Sequence, residues 1–65
     1  MKVLFKGKSM ISNEVKQLTC DINNDRYHIK DYNKRLIIAV NNQAIAIDKE
    51  SFVIEILEGD SVANL

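Results

Sequence analysis

The sequence contains no proline and no tryptophan, and it has only two glycines, one cysteine and one histidine among 65 residues. Because Cys20 is alone, an intrachain disulfide is excluded, and a single cysteine is typical of a reducing compartment. A zinc cage takes about four ligands, and Cys20 and His28 are the whole supply of its preferred residue types. Gly7 and Gly59 lie too far apart for a glycine-rich phosphate loop. The sequence therefore predicts no metal and no cofactor.

Long apolar runs are also missing. The longest spans residues 36–40, far short of the ~18 residues of a membrane span. The first residues carry positive charge but lack the apolar stretch of a secretion signal. We therefore expect a cytoplasmic protein with no membrane partner. Nine Ile, seven Asn and seven Lys give the bias that AT-rich coding produces, which indicates a low-GC bacterium, one of its mobile elements or a phage.

The charges balance overall but are unevenly placed. Residues 1–44 hold eight Lys or Arg against four Asp or Glu, whereas residues 45–65 hold one Lys against five Asp or Glu. The two parts therefore carry +4 and −4. One interpretation is attraction between the ends of the fold or within a head-to-tail dimer, and the other is a basic face for nucleic acid. The first is favoured, because nucleic-acid-binding domains are usually basic overall.

Apolar and polar residues alternate in short runs, which is the pattern of half-buried strands. Segments rich in Asn and Asp separate several of these runs and suit hairpin loops. The predicted strands cover 2–8, 16–22, 26–31, 35–40, 44–48 and 52–57. A short helical turn is predicted near 12–16, with Ser12 or Asn13 as its cap. The alternative for 52–58 is a helix that ends on Gly59, but its Phe, Val and Ile residues favour a strand.

Residues 44–56 read Ala-Ile-Ala-Ile-Asp-Lys-Glu-Ser-Phe-Val-Ile-Glu-Ile, a strand, a short link and a second strand. This pattern resembles the last two strands of small SH3-like or Sm-like barrels. The resemblance covers a fifth of the chain and contains no signature residue, so it implies a fold and no function. We predict one all-β or mostly β domain over 1–65, an antiparallel meander or SH3-like barrel of five to six short strands. Residues 59–65 are predicted to be a frayed C-terminal tail.

The apolar parity of each predicted strand defines the expected core. Gly7, inside the first strand, is expected to mark a bulge or a sharp bend. The residues expected to be buried are Leu18, Cys20, Ile22, Tyr27, Ile29, Leu36, Ile38, Ile45, Ile47, Ile54 and Ile56.

Neither Cys20 nor His28 is expected to perform chemistry. Cys20 lies on the apolar parity of its strand, whereas His28 shares the polar parity of its own strand with Arg26 and Lys30. A nucleophile and its base need to lie within hydrogen-bond reach, and opposite faces prevent this. The sequence therefore predicts a protein without catalytic residues.

Alternation breaks down in two places, residues 36–40 and 52–57, where both parities are apolar. A structure with one interior cannot bury both, and a surplus apolar face marks an interface. A domain of this size buries only about 60% of its unfolded surface, so self-association would stabilise it. We expect a homodimer formed through the surplus apolar face. The predicted interface residues are Ile37, Ala39, Val53 and Leu57.

The favoured function is a small non-enzymatic protein-binding module that self-associates and engages a protein target, as an inhibitor or accessory factor of a bacterial mobile element or phage. The alternative is a nucleic-acid-binding β-barrel, for which the chain offers basic residues and few stacking aromatics. A second alternative is sequestration of a small anionic ligand between subunits. The basic residues of the first alternative are Lys2, Lys6, Lys8, Arg26, Lys30 and Arg35.

Overall fold

A computed structural model describes residues 1–58, and the tail predicted at 59–65 lies outside them. The described residues form six strands and one turn of 3-10 helix, which confirms the predicted mostly β fold. In chain order the elements are β1 (Lys2–Lys8), β2 (Val15–Asp21), β3 (Tyr27–Asp31), β4 (Arg35–Val40), β5 (Gln43–Asp48), the 3-10 turn (Lys49–Ser51) and β6 (Val53–Glu58).

The strands form two three-stranded sheets in which all neighbours are antiparallel. Sheet I has the order β2-β1-β6, and sheet II has the order β3-β4-β5. A bridge between Ser9 and Ile47 joins the end of β1 to β5, so the second sheet meets the first at this point. The result is a small barrel-like fold with its core between the two sheets.

Asx turns and left-handed asparagines shape the corners of the chain. At the corner between β2 and β3, the Asp21 carboxylate accepts hydrogen bonds from the Asn24 side chain at 2.7 Å and the Asn23 amide at 3.1 Å. These hydrogen bonds lower the pKa of Asp21, and the bond from the Asn24 side chain has the larger effect. Asn41, at φ 55°, opens the tight turn between β4 and β5, where Asn tolerates left-handed backbone. The Asn-rich segments therefore turn the chain as predicted.

The prediction of a helical turn near 12–16 is wrong. Asn13 has a left-handed φ of 61°, and β2 already begins at Val15. The Ser9 amide donates to the Glu14 carbonyl at 2.7 Å and closes the loop between paired strands, so the backbone extends β2 here. Within residues 1–58 the helical turn is instead the 3-10 turn, where the Asp48 carboxylate accepts from the Glu50 amide at 3.2 Å.

The buried core draws on both sheets. Five of its members were predicted, namely Leu18, Cys20, Leu36, Ile38 and Ile47. Three core residues were not predicted, namely Val3, Phe5 and Val40. Ile22 and Ile45 are partly buried against this core, together with Phe52. The expectation was wrong for Tyr27, Ile29, Ile54 and Ile56, which are exposed.

Gly7 is required by a close approach between the sheets. The register of β1 with β2 runs through Gly7 without a break, so a bulge, one of the two features predicted there, is absent. A Cβ atom at this position would lie 2.5 Å from Ile47 Cδ1 and 3.1 Å from Ser51 Oγ. The only irregular register of β1 lies between Lys2 and Val3, on the side of β6.

Candidate protein-binding surface

Strand β6 lies at the edge of sheet I. Among residues 1–58 its backbone pairs with β1 alone, which leaves its other edge without a described strand. The register places Ile54 opposite Phe5 and Ile56 opposite Val3, so both isoleucines lie on the core-facing side of the sheet. The intervening residues Val53, Glu55 and Leu57 therefore lie on the outer side.

Both faces of β6 expose large apolar side chains. Val53, Ile54, Ile56 and Leu57 are 50%, 53%, 65% and 51% exposed. Ile54 and Ile56 were expected in the core, and their parity is indeed the inner one. They are exposed because sheet II contacts sheet I mainly through β5, which meets β1 and β2, so sheet II leaves the inner side of β6 uncovered. Strands that combine apolar residues on both faces with an unpaired edge are typical sites for association with another chain.

Strand β3, at one edge of sheet II, also exposes two apolar residues on the inner side of its sheet. Tyr27 and Ile29 lie opposite the buried residues Val40 and Ile38, yet they remain 42% and 37% exposed. The Tyr27 ring lies 5.8 Å from that of Phe5, the neighbour of Ile54 in sheet I. The core therefore has an uncovered apolar margin, which we call the apolar flank. It consists of Tyr27, Ile29, Ile54 and Ile56.

The predicted interface residues are not brought onto one sheet. Val53 and Leu57 lie on the outer side of sheet I, half exposed. Ile37 and Ala39 lie in β4, the central strand of sheet II, and are only partly exposed. The four residues therefore belong to two surfaces rather than one patch. Among them, Val53 and Leu57 adjoin the apolar flank.

The six basic residues predicted for nucleic acid are also divided. Lys2, Lys6 and Lys8 lie on β1 of sheet I. Lys30 and Arg35 lie in sheet II, where the Arg35 guanidinium stacks over the Tyr32 ring at 5.7 Å.

Arg26 precedes β3. Acidic residues also interleave with this set, since Lys2 is paired in register with Asp21, and Arg35 with Asp48. The arrangement gives no single basic face.

An open depression of about 760 Å3 lies between the β1–β2 loop and the 3-10 turn. Lys8, Lys34 and Lys49 line it together with Asp48 and Glu50. Beside it, Lys49 Nζ lies 2.6 Å from Asp31 Oδ2 and lowers the pKa of that carboxyl. The depression is thus lined by side chains of both charges.

Cys20 lies in the core and His28 at the surface, as their parities predicted. Cys20 is fully buried, and this burial, with the nearby Asp25 and Asp21 carboxylates, raises the pKa of its thiol. His28 is exposed on the outer side of sheet II, opposite Ala39. In the part of the chain that the structure describes, no three His, Cys, Asp or Glu residues are grouped to hold a metal ion.

The loop between β1 and β2 has an apolar tip that was not predicted from the sequence. Ile11 is 95% exposed, and Met10 beside it is half exposed. The Ile11 amide donates to the Ser9 hydroxyl at 3.1 Å, which holds the backbone while the side chain extends into solvent. In the sequence, two adjacent apolar residues between polar loop residues were the available signal.

Comparisons of the chain with protein-family models, curated proteins and solved structures found no match. Residues 1–58 contain no helix that is long and apolar enough to cross a bilayer.

Proposed function

We propose that this chain is a non-enzymatic protein-binding module that self-associates through β6 and engages a protein target, as an inhibitor or accessory factor of a bacterial mobile element or phage. The observation that supports it is the exposure of Val53, Ile54, Ile56 and Leu57 on the two faces of one edge strand. Monomeric proteins normally protect such strands with charges, bulges or covering segments. Here Glu55 is the one charged residue between the four apolar ones, and the register of β6 with β1 has one irregularity, beside Leu57.

The energetics favour a covered β6. Burial of apolar area contributes about 25 cal/mol per Å2, so covering a few hundred Å2 yields several kcal/mol before association entropy is subtracted. A chain of 65 residues without a disulfide has little stability of its own. Because association stabilises the folded form by mass action, the same contact supports both assembly and folding.

A second surface remains for a target once β6 is covered. Met10 and Ile11 lie at the tip of the β1–β2 loop and are not part of β6. A protruding apolar side chain binds strongly when it fills a pocket on a partner, because the pocket removes it from water. We assign the target contact to this loop tip.

Amide chemical shifts, measured by two-dimensional NMR over a dilution series, test the proposal. Between about millimolar and micromolar concentration, the amides of Val53–Leu57 should shift, because dilution dissociates the assembly. Those of the loop 9–14 should stay in place and serve as the internal control. Shifts that map to another surface, or that are absent at every concentration, contradict self-association through β6.

The same spectra distinguish the nucleic-acid alternative. A single-stranded oligonucleotide added to the protein should leave Lys2, Lys6 and Lys8 unshifted. Shifts at these residues that vanish steeply with added salt would instead indicate phosphate binding.

A further inference from the structure

The five residues Val53–Leu57 are symmetric in character about their centre. Ile54 and Ile56 flank Glu55, and Val53 and Leu57 lie one residue further out on either side. An antiparallel two-fold contact places the same surface of each copy against the other, so it requires a self-complementary pattern. The pattern of β6 meets this requirement.

We infer that the occupant of the β6 edge is a second copy of this chain, paired antiparallel to β6 about a two-fold axis at Glu55. Val53 then lies opposite Leu57 of the second copy, and Ile54 lies opposite Ile56. The two copies share one six-stranded sheet with the order β2-β1-β6-β6-β1-β2. This inference rests on the proposed function and adds to it the strand register and the residue on the axis.

Other two-fold registers fit the pattern less well. In a two-fold antiparallel pair whose inner faces lie on the same side of the shared sheet, the axis passes between two copies of the same residue. Moving the axis to the next residue shifts the pairing of the two strands by two residues. An axis at Ile54 places Glu55 opposite Val53, and an axis at Ile56 places it opposite Leu57. Only the axis at Glu55 matches an apolar residue with an apolar residue at all four remaining positions.

The chosen register places the two Glu55 carboxylates opposite each other. Like charges directly opposite weaken a strand pair. Glu55 is exposed on the outer side, where water screens this repulsion, and Lys6 of β1 lies diagonal to it. The carboxylates should therefore weaken the assembly without preventing it, and they make the register testable.

The experiment mixes the wild-type protein with the isotope-labelled variant Glu55→Lys and counts the dimers by native mass spectrometry. In the mixed dimer a glutamate faces a lysine, whereas each parent dimer has two like charges on the axis. Random pairing sets the statistical share of mixed dimers, and we expect the ratio of mixed to parent dimers to exceed the ratio of random pairing by roughly twofold to fivefold. Glu55→Gln should dimerise more tightly than the wild type by a similar factor.

Glu50→Lys is the matched control, since it makes the same change of charge on the exposed 3-10 turn. Its mixture with the wild type should give the statistical share. If Glu55→Lys behaves like this control while the wild type is dimeric, the register is wrong and self-association stands. If the wild type is monomeric and binds a synthetic strand of alternating apolar residues with a central lysine, the occupant is a foreign strand and this inference fails. A wild-type protein that is monomeric and binds no such strand contradicts the inference and self-association together.

Discussion

Replacing Ile47 with alanine should lower the free energy of unfolding by about 2–5 kcal/mol. Ile47 has no exposed surface, and it lies where β5 meets β1, bridged to Ser9 and against Gly7. The truncation leaves a cavity where the two sheets meet, and their hydrogen-bonded strands limit how far the cavity can collapse. The expected loss is a large share of the stability of so small a domain.

Urea denaturation at one fixed protein concentration measures this loss, because association makes the midpoint depend on concentration. Ile11→Ala is the matched control, since the same substitution at a side chain that is 95% exposed should leave the midpoint nearly unchanged. Equal midpoints for the two variants would contradict the position of Ile47 in the core.

Val53→Lys combined with Leu57→Lys should convert the assembly into a soluble monomer. Both side chains are half exposed on the outer side of β6, so lysine is accommodated in the isolated fold. In a paired β6 two apolar cross-strand contacts would be replaced by two lysine–lysine pairs, and like charges directly opposite weaken a strand pair. The monomer should also unfold at a lower urea concentration, because it lacks the stabilisation by association.

Met10→Lys combined with Ile11→Lys controls for the added charge, because these exposed residues lie on the β1–β2 loop. This variant should assemble like the wild type, and it should lose binding to the protein target. If the Val53 and Leu57 double variant still assembles, the contact lies elsewhere on the molecule.

Alternation, strand-forming residues and turn segments were together sufficient to predict the strands. Pleating forces successive side chains to opposite faces, so the inner parity can be read from local sequence in the strands that alternate. The predicted segment 44–48 became β5 within one residue, and 35–40 coincides with β4. The helical turn near 12–16 failed because long-range pairing of β1 with β2 overrode the local spacing of apolar residues.

Parity predicted the side of the sheet on which each residue lies, but not whether another element covers that side. Ile54 and Ile56 have the inner parity and are exposed, because β6 is an edge strand that sheet II does not cover. Val3 and Phe5 have the same parity and are buried, because they lie on the central strand of sheet I. Strand order depends on contacts distant in sequence, so alternation alone could not separate these two pairs.

The candidate surface was predicted in part for the same reason. The apolar character of both parities in residues 52–57 drew attention to Val53 and Leu57, which are half exposed. It could not show that Ile37 and Ala39, with a similar pattern, lie in the other sheet. Nor could it show that Ile54 and Ile56 belong with Val53 and Leu57 on an exposed strand.

Sedimentation equilibrium of the unmodified protein tests self-association most directly. The chain has a mass of 7.4 kDa, so a dimer has twice that mass, about 14.8 kDa. At tens of micromolar we expect the dimer mass, falling toward 7.4 kDa on dilution. A mass of 7.4 kDa that does not change across this range would contradict self-association.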